Sequence, residues 1–373
     1  MRADSVGFFW QDLPQEKPQG GTRIACARPL PPIPDTGWRP PSAFPRLEAA
    51  RVLAIDTETK DPHLRERGPG FQRGDAHIVG ISVGTEDGGR WYFPMRHEVG
   101  GGNMDPAAVL RWAADELTRP GQAKVGANLL YDAEVLAAEG VDITRGDPEF
   151  IDVQFQEALL DEYAKEYNLD ALGTRYFGAG KTSAALYRWC SEAYGGAADG
   201  TQRANIYRAP ASLVGPYAEG DVDLPLRIAR EQAGRLDREE LRGLAGLENA
   251  LIPMLLAMRR RGVRVDVAAA RELGARWQAE VTEATRITGA SPWNPTEIAR
   301  ALDRAGVPYP RTAAGNPSFQ KEWLNAHPHP LVAALARARR LDKARGTFID
   351  GHVFGHLVRD RIHISFHPLR TDE

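Results

Sequence analysis

Arg51-Val-Leu-Ala-Ile-Asp-Thr-Glu58 is an apolar run that closes on two carboxylates two residues apart. Read as a β-strand, it sends Asp56 and Glu58 out of one face, because side chains alternate along a strand. Two later pairs have a different spacing. Asn128 and Asp132 are four apart in Asn128-Leu-Leu-Tyr-Asp132, and Tyr217 and Asp221 are four apart in Tyr217-Ala-Glu-Gly-Asp221. In a helix each of those pairs shares a face. Four acids converging without a cation would repel one another, and repulsion with partial burial would hold some of them protonated at neutral pH. Divalent ions resolve that conflict. Hard cations such as Mg2+ or Mn2+ take carboxylate and water oxygens. Two of them roughly 3.5–4 Å apart stabilise both the attacking and the leaving oxygen of an in-line displacement. The phenol of Tyr217 suits orientation of an attacking water more than metal ligation.

Around these pairs the pattern from Arg51 to about Arg238 is α/β. Strand-like runs lie at 51–56, 77–84 and 90–94. Pro106 to Thr118 reads as a helix with Ala107, Leu110, Ala114 and Leu117 on one face. Val125 to Ala127 is a short strand feeding a helix from Asn128 to Ala138, and Ile151–Tyr163 and Leu213–Leu236 are further expected helices. The expectation is a mixed sheet with flanking helices.

The order and spacing of the three pairs resemble the DEDDy group of 3′–5′ exonucleases, whose motifs read D-x-E, N-x-x-x-D and Y-x-x-x-D. Any one motif taken alone is more simply a solvated acid or a helix cap; the ordered set points to catalysis. The sheet reading then matches a ribonuclease H-like fold. His77-Ile-Val-Gly-Ile-Ser-Val83, Arg90-Trp-Tyr-Phe-Pro94 and Lys124-Val-Gly-Ala-Asn-Leu-Leu-Tyr-Asp132 look like the proofreading domain of family A (polymerase I-like) DNA polymerases. Leu247-Glu-Asn-Ala-Leu-Ile-Pro253 through Arg261-Gly-Val-Arg-Val-Asp266 looks like the start of that family's polymerase domain, and Asp360-Arg-Ile-His-Ile-Ser-Phe-His367 is similar to the strand leading into its active site. The likeness covers roughly residues 49 to 373. The family's palm aspartates and fingers would follow that last strand. The sequence therefore reads either as a shortened form or as an exonuclease subunit whose polymerase half is a separate polypeptide. It divides into a Pro-rich extension (1–48), an exonuclease domain (49–238) and an incomplete, mainly helical thumb and palm region (239–373).

What the resemblance implies is hydrolysis of the 3′-terminal phosphodiester of a single-stranded DNA end, with release of nucleoside monophosphates. Asp56 is expected to bridge two metal ions, Glu58 and Asp221 to complete the first site, and Asp132 to hold the second ion through water. Tyr217 is expected to orient the attacking water. Asn128 and Tyr131 match positions lining the single-strand path, with Tyr131 available to abut a terminal base. Two alternatives remain open: an RNA-trimming nuclease resembling ribonuclease D, and a non-catalytic subunit that tethers DNA or a polymerase.

Composition fits an enzyme of two domains and a tail: 373 residues, 42% hydrophobic and 26% charged. Cys26 and Cys190 give no disulfide or zinc framework, no run approaches a membrane span, and no signal-peptide pattern opens the chain, so the expected compartment is the cytoplasm. The net charge of −3 hides an asymmetry. Residues 1–238 hold 27 basic against 35 acidic side chains, and residues 239–373 hold 20 against 15. An acidic half that collects cations joined to a basic half that holds phosphates suits a nucleic-acid enzyme.

Residues 29–45 contain seven prolines, which predicts an extended segment that wraps the exonuclease domain or stays mobile. Before it, Gly7-Phe-Phe-Trp-Gln-Asp-Leu13 reads as a segment packed on its own domain or a docking motif for a replication partner. Gly178-Ala-Gly-Lys-Thr182 imitates a phosphate-binding loop, but Arg175 stands where that motif needs glycine and no strand precedes it. His352 and His356, like His363 and His367, are four apart; the second pair reads as strand, where that spacing separates the side chains, and zinc is not expected. On a helical wheel Arg339, Arg340 and Lys343 fall within about a third of the circumference. The resemblance puts them in the thumb, where they would contact the phosphates of a primer–template duplex.

Overall fold

The computed structural model describes residues 29–178, 180 and 182–369; the aromatic cluster at 7–13 and Cys26 lie outside them. The strands β1 (Val52–Lys60), β2 (His77–Thr85), β3 (Arg90–Pro94), β4 (Ala123–Gly126) and β5 (Phe150–Asp152) form one mixed sheet in the order β3-β2-β1-β4-β5. β1 pairs antiparallel with β2 and parallel with β4, so it is the central strand. It runs four residues beyond the expected end. Thr57 and Thr59 are β-branched, and β2 keeps pairing as far as Lys60↔His77 across a bulge after Glu58.

The helices of this region are α1 (Leu64–Arg67), α2 (Pro106–Glu116), α3 (Leu129–Ala138), α4 (Val153–Leu160), α5 (Leu169–Phe177), α6 (Ala184–Tyr194) and α7 (Ala211–Arg238). In α2 the buried stripe is Val109, Trp112, Ala113 and Glu116, with Leu117 closing it, whereas Ala107 is exposed. The expected face was displaced because Trp112, the largest side chain, sets which side packs: its ring lies 4.3 Å from that of Phe93. The helix expected from Ile151 begins at Val153, since Phe150–Asp152 pairs with β4, and it stops at Leu160.

Alternation along β1 builds two cores. Leu53 and Ile55 face α3 and pack with Leu129, Leu130 and Ala133. Ala54 faces α7 and packs with Val222 and Leu224.

Next come α8 (Arg242–Arg261), α9 (Val267–Thr288), α10 (Pro295–Arg304), α11 (Lys321–Ala326) and α12 (Pro330–Ala344), a π-helical turn at Arg345–Phe354, and the short strands β6 (Val263–Arg264), β7 (Leu357–Val358) and β8 (Arg361–Ile362). The strand expected across 360–367 shrinks to two residues, so His363 and His367 lie beyond it. Although assigned to the second region, α8 begins inside the first core. Ile252 and Leu256 join that core, Asn249 Oδ1 accepts the Asp152 N–H at 2.7 Å, and Arg259 pairs with the buried Glu134 at 2.6 Å. The outer side of α8 leaves Leu244, Leu247, Met254 and Met258 exposed. Further along, Ile298, Leu302, Val332 and Leu335 form a separate core joining α10 and α12.

Candidate metal centre

Asp56 and Glu58 leave the α7 face of β1, where α7 brings Asp221 to meet them. The three carboxylates each offer an oxygen within 4.8 Å of the others. Glu58 and Asp221 are buried and Asp56 is half-buried. One turn before Asp221, Tyr217 is 4% exposed, and its ring lies 6.1 Å from that of Tyr187. Burial, then the nearby Asp221 and Glu58 carboxylates, push the Tyr217 phenol well above its ordinary range, so its hydroxyl keeps its proton. Three hard oxygen donors at this separation fit a divalent cation. Among the described residues this is the group of three or more His, Cys, Asp or Glu side chains that could hold a metal.

The Pro-rich segment fixes the turn that carries Tyr217. Pro216 has no N–H and therefore cannot satisfy the Ser212 carbonyl four residues back. Thr36 Oγ1 donates to that carbonyl at 2.7 Å instead. The Trp38 indole occupies the space a side chain at position 215 would need: a Cβ on Gly215 would stand 2.1 Å from its Cε2. Its Nε1–H donates to Glu219 at 2.9 Å. Of the two expectations for this segment, the wrapped form holds for residues 29–48, with Phe44 stacked on Phe93 and Trp112 and the Leu47 N–H bound to Glu116.

On the opposite face of β1, Asp132 sits apart from the trio. Thr57 Oγ1 donates to its Oδ1 at 2.6 Å, and burial pushes the carboxyl up to about 7. Asp152, also behind the sheet, is pushed up to about 6 by burial while it accepts the Leu129 and Gln154 N–H groups. The structure thus gathers three of the four expected acids and leaves the fourth against Thr57. Asn128 does not share a helical face with Asp132: it precedes α3 in the left-handed region, φ 67°, exposed. The chain must turn sharply from β4 into α3, and asparagine tolerates that conformation. Tyr131 is half-buried, its hydroxyl 2.8 Å from Thr59 Oγ1 and its ring edge-on to Phe71.

The expected phosphate contacts on α12 separate as well. Arg339 donates to the carbonyls of Pro292 at 2.5 Å and Phe319 at 2.7 Å and lies over the Trp293 ring, so it clamps neighbouring segments. Arg340 and Lys343 are exposed. The sequence reading missed Thr57, and it missed the buried Tyr92, whose hydroxyl lies 2.6 Å from His97 Nε2. A signal for the second existed: Gly80, paired with Glu58, leaves the space that the Tyr92 hydroxyl fills. Gly178 caps α5 in the left-handed region, so a helix and not a strand precedes the glycine-lysine imitation, as expected; Ala179 and Lys181 lie outside the described residues.

No protein-family model matches the chain. It is 37% identical over 342 residues to the DNA-directed DNA polymerase of Pseudomonas phage M6, covering 89% of this chain and 50% of that protein. With DNA polymerase I of Pseudomonas aeruginosa it shares 27% identity over 338 residues, 86% of this chain and 35% of that protein. The chain therefore spans about half or less of the length of these relatives. Among solved structures, the POL domain of Pol1 from M. smegmatis, in complex with DNA primer-template and dNTP, superposes with a TM-score of 0.52 at 16% identity, over 83% of this chain and 48% of that chain. That likeness is one of fold. No helix among the described residues is long and apolar enough to cross a membrane.

Proposed function

We propose that this chain, which is homologous to family A DNA polymerases over nearly nine tenths of its length, is a metal-dependent 3′–5′ exonuclease. It removes nucleoside monophosphates from the 3′ ends of single-stranded DNA. The observation that carries the reading is the convergence of Asp56, Glu58 and Asp221 beside a buried, protonated Tyr217.

Asp56, Glu58 and Asp221 would hold a divalent ion, Mg2+ or Mn2+, which when bound supplies charge stabilisation at the phosphate and a more acidic water. The Tyr217 hydroxyl, which keeps its proton, holds the attacking water in line by hydrogen bonding. Asp132, which lies outside that trio and accepts a hydrogen bond from Thr57, would hold a second ion only through water. Asn128 is exposed at the start of α3 and, with the Tyr131 ring, lines the path of the strand. A paired 3′ end must fray to reach the acids, so mismatched termini are trimmed faster than matched ones, which is proofreading. Arg340 and Lys343 contact the phosphates of the primer–template duplex, while Arg339 supports them from behind. The partner of the whole is a polymerase module, in the same or a separate polypeptide.

The test is degradation of a 5′-labelled single strand with Mg2+ or Mn2+ and with chelator, for the wild type and for Asp56→Ala. Metal-dependent shortening from the 3′ end that the substitution abolishes is the expected result. Full activity of Asp56→Ala would overturn the assignment of the site. Equal rates on single-stranded RNA and DNA would favour the ribonuclease D-like alternative.

A further inference from the structure

We infer that the cavity beside α12 is a second nucleotide site, which takes an unpaired nucleotide of a DNA strand apart from the acid trio. The inference rests on the nucleic-acid reading above but not on catalysis. The cavity is open to solvent on one side and has a volume of about 490 Å³, within the range of small-ligand sites and ample for one base with its sugar. Its floor is apolar, with Leu324 and Ala336 both buried. Two aromatic rings stand at its rim, Trp293 at 51% exposed and Phe348 at 58%. Exposed aromatic rings beside an apolar floor are where a base can stack while its edges stay in water.

Trp293 is held in place before any ligand arrives. Its Nε1–H donates to Asp342 at 2.6 Å, and the Arg339 guanidinium lies 5.2 Å from its ring centre. Arg339 is fixed in turn by its two carbonyl partners, so binding need not order either side chain. Lys321, Arg340 and Lys343 line the same cavity and are exposed. Three cations around an aromatic, apolar pocket match an anionic aromatic ligand: the base on the rings, the phosphates on the ammonium and guanidinium groups. Duplex DNA alone does not account for the pocket, because its bases are stacked and present only phosphates and groove edges to a protein surface.

The test is fluorescence anisotropy in chelator, in the Asp56→Ala background so that no strand is cut, with three probes: a labelled twelve-residue oligothymidylate, a blunt duplex of equal length, and unlabelled thymidine monophosphate as competitor. Trp293→Ala and Phe348→Ala are each expected to weaken the oligothymidylate about tenfold, the usual loss for one stacked base, and to change duplex affinity less than twofold. Phe348 is exposed, so its replacement reads the pocket even if Trp293→Ala disturbs packing. Lys321→Ala should flatten the salt dependence of oligothymidylate binding by somewhat under one unit of slope. Displacement of the oligothymidylate by millimolar thymidine monophosphate would support the site and assign it to free nucleotides as well. No loss on the single strand, or equal losses on single strand and duplex, would overturn it. Failure of the exonuclease reading would appear separately, as absence of metal-dependent cutting by the wild type.

Discussion

On the α7 face of β1, Asp56 and Glu58 meet Asp221 so closely that their oxygens fall within 4.8 Å of one another. On the α3 face, behind the intervening Thr57, Asp132 is as deeply buried as Asp221, yet a threonine hydroxyl answers it at 2.6 Å. Burial alone therefore does not mark a carboxylate that can join the trio as a direct ligand. The difference lies in what faces each carboxylate. Gathered acids create a negative field that an added cation relieves, whereas burial, with the Asp152 charge adding to it, favours the protonated form of Asp132 against the opposing pull of the Thr57 hydrogen bond.

The sharpest way to break that contrast is to exchange charge for amide on each face. Asp221→Asn should lower single-strand degradation by about a hundredfold to a thousandfold, as loss of a group that stabilises developing charge does. It should also weaken Mn2+ binding in calorimetry. If Asp132→Asn lost Mn2+ affinity and Asp221→Asn did not, the two faces would have been assigned the wrong way round. Tyr217→Phe keeps the ring and removes only one neutral hydrogen bond to the attacking water, so a loss of about tenfold in kcat with Mn2+ binding intact is expected. A loss as complete as that of Asp221→Asn would make Tyr217 part of the ligand set.

A smaller effect concerns stability in the presence of chelator. Asp132 and Asp152 are pushed up to about 7 and about 6 in the folded state, against about 3.9 when unfolded. Between those values the folded protein binds more protons than the unfolded one, so both groups make stability fall as pH rises from about 4 to 7. Asp132→Asn removes one of these contributions while preserving an acceptor for Thr57. Its melting temperature should exceed that of the wild type at pH 8, by the equivalent of a few kcal/mol at most, and the difference should close near pH 4. A difference independent of pH would mean that Asp132 is ionised in the fold. Smallest of all is Thr57→Val, a near-isosteric change that should cost about 1–3 kcal/mol above pH 7, where the hydrogen bond to a charged carboxylate is lost, and less near pH 4.

The α7 face was legible in the sequence because its information is local. A strand carrying D-x-E and a helix with Y-x-x-x-D place side chains by periodicity alone, and both elements formed, the strand four residues and the helix two residues at each end longer than expected. Asp132 was found by the same rule, but its hydrogen bond to Thr57 was not, because that partner is 75 residues away. Asn128 failed for a related reason: a four-residue spacing says nothing when the first residue stands in the turn and not in the helix. On α12, the wheel grouped Arg339 with Arg340 and Lys343 correctly by direction. It could not register that the Pro292 and Phe319 carbonyls, 47 and 20 residues away, would claim the first of them. The aromatic rim of the cavity was invisible for the same cause, since Trp293 and Phe348 belong to segments that periodicity treats separately.

The bridge from Thr36 and Trp38 to α7 spans 176 and 181 residues of sequence. Its consequence is practical. A protease that nicks the chain between this strap and β1 leaves every acid in place and the sheet intact, yet releases the turn on which Tyr217 stands. Ageing preparations would then slow before they unfold, and a shortened gene that begins just before Phe44 would keep Phe44 and Leu47 in the core yet yield a slower enzyme. The loss would be blamed on the acids, while the missing part was the brace on the turn of Tyr217.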